Sequence, residues 1–178
     1  MSQSMMPSVK LVVVGDSNVG KTTLMHRYCS GTFNPNAYPT TYVPYMNLTL
    51  DGKQVHLGLW WTDGSYEYDR LRPISYPQTD VFLLCFSLVC DSSFDRIATK
   101  WTPELRHHCP DVPVVVVGTK ADLKQDPDTA AVAGERAGVS YLECSSLTGQ
   151  GVTEVFEAAM RAALARRSDN LEGNCCLV

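Results

Sequence analysis

At 178 residues the chain is long enough to bury a real core and fits one domain. Its 15 Lys and Arg against 19 Asp and Glu give a net charge of −4 without long single-sign runs, which argues against a general nucleic-acid binder. Seven cysteines, an odd number without zinc-ligand spacing, suit a reducing cytosolic compartment, and we expect neither a secretory leader nor a transmembrane span, since the longest apolar stretch, Val81 to Val89, is short and interrupted by Ser87.

The first predicted strand, Lys10 to Val14, runs into Gly15-Asp16-Ser17-Asn18-Val19-Gly20-Lys21-Thr22, which fits the phosphate-loop pattern G-x-x-x-x-G-K-[ST] in its required setting between a strand and a helix, Lys21 to Cys29. Glycines let the backbone wrap closely so that successive N–H groups, Asn18 and Val19 among them, point inward, and the helix N-terminus adds positive potential. Lys21 supplies an ammonium for the terminal phosphates, Thr22 a hydroxyl for Mg²⁺, and Thr23 completes the first helical positions beside the nucleotide. Strands follow at Tyr45 to Leu50 and Gln54 to Trp60, joined by the hairpin signal Asp51-Gly52, and then at Val81 to Ser87, Val114 to Gly118 and Ser140 to Glu143. Helices are expected at Ser93 to Arg106, Thr129 to Ala137 and Val152 to Arg167, the last with Val152, Val155, Phe156, Ala159 and Ala163 on one face. This alternation predicts an α/β domain with a mostly parallel six-stranded sheet, helices on both faces, and ligand loops at the carboxyl ends of the strands. The domain is expected over residues 1–167, with a flexible tail over 168–178.

The base is read by Gly118-Thr119-Lys120-Ala121-Asp122, directly after a strand. A carboxylate accepts two hydrogen bonds from guanine N1–H and its exocyclic amine, a pair adenine does not offer. Asp122 is thus expected to select guanine, with the alkyl stem of Lys120 beside the base. Cys144-Ser145-Ser146, also after a strand, is placed to present backbone N–H groups to guanine O6.

With these motifs in order, the chain resembles a Ras-superfamily small GTPase with the P-loop NTPase G-domain fold. The stretch LRPISYPQTDVFLLCFSLV and the run Lys100-Trp101-Thr102-Pro103-Glu104 resemble the Rho family, on its Rac-like side. The resemblance spans roughly Lys10 to Val178. It implies that Phe33 stacks against guanine, and that Pro39-Thr40 is the first switch, Thr40 lying 19 residues after Lys21 and contacting Mg²⁺ and the γ-phosphate in the GTP state. It further implies GTP/GDP and Mg²⁺ as ligands; effector proteins, exchange factors and a dissociation inhibitor as partners; a monomer; and signalling to the actin cytoskeleton.

The chain departs from that family where catalysis occurs. The second switch of the family, D-T-A-G-Q, is here Trp61-Thr62-Asp63-Gly64-Ser65. Gly64 is retained for the phosphate, but Trp61 replaces the aspartate that holds a metal-bound water and Ser65 replaces the glutamine that orients the attacking water. Ser17 crowds the same space, so no catalytic residue is intact and impaired hydrolysis is expected. Asp63 could recover some metal contact or repel the γ-phosphate, and sequence leaves that sign open. The segment after Thr40, Thr41-Tyr42-Val43-Pro44-Tyr45, departs from the family's effector loop, and the 23 steps from Asp122 to Ser145 leave no room for the extra helix of Rho proteins.

The last four residues, Cys175-Cys176-Leu177-Val178, resemble a C-a-a-X prenylation box with Cys175 as acceptor. Arg166 and Arg167 are diluted by Asp169 and Glu172, so the anchor is a single lipid chain giving marginal, reversible attachment at the cytoplasmic face of the plasma membrane or an endomembrane. The expected function is a GTP-binding, prenylated Rho-like switch with impaired hydrolysis. The alternative is a pseudo-GTPase, an interaction module that binds nucleotide weakly or not at all.

Overall fold

The computed structural model describes residues 6–38, 45–125 and 140–173. Six strands, β1 (Ser8–Gly15), β2 (Tyr45–Leu50), β3 (Lys53–Trp61), β4 (Val81–Ser87), β5 (Val114–Thr119) and β6 (Leu142–Glu143), form one sheet in the order β2-β3-β1-β4-β5-β6. All neighbours pair in parallel except β2 and β3, which run antiparallel from Tyr45 opposite Gly58 to Leu50 opposite Lys53. Their connection is the expected tight turn: Asp51 (φ 49°) and Gly52 (φ 77°) are both left-handed, the twist that lets two strands fold back directly.

Each central strand divides its side chains between two cores because successive residues point to opposite faces. Val9, Leu11 and Val13 of β1, with Val81, Leu83 and Cys85 of β4, pack under α1 (Lys21–Ser30) and α4 (Val152–Gly173), where Leu24, Val155, Phe156 and Met160 meet them. Val12 and Val14, with Phe82, Leu84 and Phe86, pack on the other face under α2 (Asp91–Arg96) and α3 (Thr102–His108), where Ile97, Trp101 and Leu105 are buried.

The expected helix Ser93 to Arg106 exists but is not uniform. A π turn, Ile97–Trp101, joins α2 to α3 and sets the direction of the buried Trp101 ring. Three short 3₁₀ turns, Tyr66–Tyr68, Arg72–Ser75 and Ala121–Gln125, were not expected, since three to five residues leave no periodic signal. β6 shrinks to two residues. α4 runs to Gly173, six residues past the expected end at Arg167, because extending a formed helix is far easier than starting one. The helix expected at Thr129 to Ala137 lies outside the described residues.

Candidate nucleotide site

The parallel strands direct three loops to the same end of the sheet, on either side of β1, where the strand order reverses. The first begins at Gly15, whose φ of 137° and approach to β4 both demand glycine: an added Cβ would fall 2.2 Å from the Cys85 carbonyl oxygen. Asn18 (φ 64°) and Gly20 (φ 100°) are also left-handed, curling the loop into α1 in the manner of an anion-binding nest.

Lys21, at the first position of α1, is buried, and its Nζ donates to the Asp16 carbonyl at 2.6 Å. Burial pushes its ammonium down to about 8, against the opposing pull of Cys85, Asp63 and Asp16. A desolvated cation at a helix N-terminus is a seat for an anion. Val19 is buried, and Thr22 and Thr23 are half-buried in the first turn that follows.

The other two loops are bonded to the first and to each other. Thr119 Oγ1 lies 2.5 Å from the Val19 carbonyl and 2.9 Å from that of Phe86, and Lys120, left-handed at φ 60°, donates from Nζ to the Asn18 carbonyl at 2.9 Å. Ser145 Oγ donates to Asp122 Oδ1 at 2.5 Å, while Cys144 N–H donates to the Gly118 carbonyl at 2.9 Å and Ala121 N–H to the Cys144 carbonyl at 3.1 Å. Asp122 is therefore oriented by a buried hydroxyl, as a residue that must present a carboxylate edge to a flat base needs to be. Ser146 is half-buried next to it, and Phe33, on the loop after α1, is 38% exposed, leaving part of its ring open for stacking. Thr40, Pro39 and the segment up to Pro44 lie outside the described residues, as do Cys175 and Cys176.

The second switch is held against the phosphate loop at several points. Thr62 Oγ1 donates to the Val13 carbonyl at 2.7 Å. Gly64 packs so closely that a Cβ would stand 2.1 Å from the Gly15 carbonyl oxygen and 2.7 Å from Ser17 N. Ser17, Gly64 and Ser65 line one cavity of about 430 Å³ together with Tyr66, Arg96 and Lys120, so the substitutions at 17 and 65 meet in the same space. A larger cleft of about 820 Å³ opens at the opposite end of the sheet, but its Lys10 and Asp80 are already paired, with the Ser75 and Pro77 carbonyls and with Arg167.

Several residues that hold the site together were missed in the sequence. Asp16 is buried and accepts from Trp101 Nε1 at 3.0 Å and Arg96 Nη1 at 3.1 Å. Arg72, its side chain fully buried, bonds Asp69, Glu104 and the Asp63 carbonyl and lies 4.5 Å over the Trp101 ring. Glu104 in turn accepts from the Tyr76 hydroxyl at 2.5 Å. The only local signal for this is Trp101 and Glu104 at i and i+3, one face of a helix, and it names neither Asp16 nor Arg72 as partner.

The donor set discriminates between ligands. Curled backbone, desolvated Lys21 and oriented Asp122 fit a guanine nucleotide. A Mg²⁺ ion would rest on the hydroxyls expected of Thr22 and Thr40, with no carboxylate at position 61 behind it. Trp61, the last residue of β3, stands opposite Val13 and packs on the α1 face of the core, and its indole N–H is buried without an acceptor among the described residues. Asp63 Oδ1 accepts from the Ser65 N–H at 2.8 Å, and both Asp16 oxygens are engaged. No group of three acidic, His or Cys side chains able to hold a metal occurs among the described residues.

Comparison with known proteins agrees with this geometry. The Ras family model matches residues 10–165. The chain is 45% identical to the Rho-related GTP-binding protein RhoB of Homo sapiens, Mus musculus and Rattus norvegicus, over 189 aligned positions covering 95% of this chain and 96% of each relative.

Proposed function

The chain belongs to the Rho family of small GTPases, and on that premise we propose that it is a guanine-nucleotide switch whose own hydrolysis is impaired, signalling through the amount of GTP-bound form. The observation that carries the reading is the contrast between an intact binding half and an altered catalytic half. Lys21, Thr22, Asp122 and Ser145 retain the family's chemistry, whereas Trp61, Ser65 and Ser17 do not.

Phosphoryl transfer depends on positioning and electrostatics, and the family orients the attacking water with a side-chain amide. Ser65 has a short hydroxyl in its place, and Ser17 adds a side chain to the same cavity. A displacement of about 1 Å can cost about a hundredfold in rate, so these changes together nearly abolish turnover. Binding depends on other groups. Lys21 and the phosphate-loop amides hold the phosphates, Asp122 and the 144–146 backbone hold guanine, and Phe33 covers it.

Family membership supports effectors, exchange factors and a dissociation inhibitor as partners, with the actin cytoskeleton as the process served. No helix among the described residues is long and apolar enough to cross a membrane. Attachment is assigned to a prenyl group on Cys175, whose added mass is readable on the intact protein from eukaryotic cells.

Single-turnover hydrolysis of bound GTP tests the reading. The native chain should turn over at least about a hundredfold slower than a Rho protein with the usual residues, and a GTPase-activating protein should rescue little, because its arginine finds no oriented water. Ser17→Gly, Trp61→Asp and Ser65→Gln combined should restore activity. An ordinary rate in the native chain contradicts the proposal, and failure to bind any nucleotide favours the pseudo-GTPase instead.

A further inference from the structure

We propose that this protein retains bound GDP without help from a divalent cation, so that removing Mg²⁺ does not accelerate GDP release. The inference rests on the nucleotide-binding reading above and goes beyond it.

Coupling between metal and nucleotide needs protein groups that hold the metal, because an ion contacting only the phosphates leaves with them. Three observations remove such groups. At the end of β3, where a carboxylate would accept from a metal-bound water, Trp61 offers a buried N–H, a donor that can neither ligate a cation nor accept from its water. Asp63, two residues on, is held in a different arrangement, with one of its carboxylate oxygens already used. Its Oδ1 closes a local turn with the Ser65 N–H, its carbonyl accepts from Arg72 Nε at 3.3 Å, and Gly64 beside it is pressed against the phosphate-loop backbone, so the segment is pinned on both sides. Asp16, the remaining carboxylate of the loop, is buried with its two oxygens taken by Trp101 and Arg96. In the GDP state, where Thr40 is not expected at the ion, Thr22 remains as the candidate ligand among the described residues, and one neutral hydroxyl is a poor grip on a strongly hydrated ion.

Positive charge for the phosphates is instead built in. Lys21 is buried at the head of α1, and Lys120 is fastened to the same loop through the Asn18 carbonyl.

The test is the release of a fluorescent GDP analogue from the full chain, chased with excess GDP, in Mg²⁺ and in EDTA. The two release rates should agree within about twofold, since metal and nucleotide that share only one neutral hydroxyl of the protein have little coupling. Acceleration by EDTA of about fivefold or more, the range of ordinary linkage between sites, overturns the inference while leaving nucleotide binding itself intact. Absence of binding in both buffers overturns this inference and the functional reading together.

Two variants sharpen the result. Trp61→Phe keeps the packing and removes the orphan N–H, and its release should remain insensitive to EDTA. Trp61→Asp restores the carboxylate and should make release faster in EDTA by about tenfold or more, the usual effect of an outer-shell partner on metal affinity. Continued insensitivity in a folded Trp61→Asp protein would show that position 61 is not the cause and overturn the argument as stated. Should that variant fail to fold, the native and Trp61→Phe measurements decide alone.

Discussion

Lys21 sits in the protein as a desolvated ammonium, its Nζ bonded to the Asp16 carbonyl, and this makes the ligand-free and nucleotide-bound states respond to pH in opposite directions. Folding lowers its pKa from 10.5 to about 8, so the folded ligand-free chain disfavours the proton that the unfolded chain keeps. The resulting cost, on the order of 3 kcal/mol, is fully present below about pH 8 and disappears as pH rises toward 10.5. Nucleotide binding has the reverse sign: the phosphates need the ammonium, so affinity is complete below about pH 8 and falls above it. Lys21→Met should therefore abolish nucleotide binding while leaving the ligand-free fold as stable as the native one or more so, measured by chemical denaturation near pH 7. If the ligand-free variant is weaker by more than about 1 kcal/mol, a typical loss for a structural residue, Lys21 is part of the scaffold and not a charge held for a ligand.

At the scale of elements, the second switch is tied to the phosphate loop through the helix between them. Arg72 bonds Asp69, Asp63 and Glu104 and covers Trp101, and Trp101 bonds Asp16 of the loop. Arg72→Met removes a buried counterion from Glu104 and Asp69, and the loss should be about 3 kcal/mol of unfolding free energy, as for breaking a buried pair. Adding Glu104→Met should return part of it, because no uncompensated carboxylate then remains at that site. A loss under about 1 kcal/mol, the value of an exposed pair, would mean the network does not fasten the switch. None of this wiring was legible in the sequence. β2 and β4 matched their predicted ends because alternation and a continuous apolar run mark strands directly, and the loop from Gly15 to Thr22 was legible because its chemistry lies in consecutive residues. Asp16 looked like a variable position of that same loop. Its engagement depends on Trp101 and Arg96, some eighty residues away, the former in a π turn without a sequence period of its own.

For the whole molecule, the order β2-β3-β1-β4-β5-β6 gathers the phosphate loop, the 119–122 loop and the 144–146 loop at one end, and the hydrogen bonds between them make a single preformed unit. The alternating pattern of strands and helices was enough to foresee that gathering. It could not foresee that Asp63 Oδ1 is taken by the Ser65 N–H or that Gly64 lies against Gly15 and Ser17. On the function proposed above, the molecule combines a binding site with a catalytic site in which Trp61, Ser65 and Ser17 replace the family's residues. The nucleotide carried by the native chain when it is purified from cells, extracted and identified by mass, tests that combination most directly. A guanine nucleotide present chiefly as the triphosphate is the expected result. Chiefly GDP would show that hydrolysis proceeds despite Trp61, Ser65 and Ser17, and an adenine nucleotide would contradict the role given to Asp122.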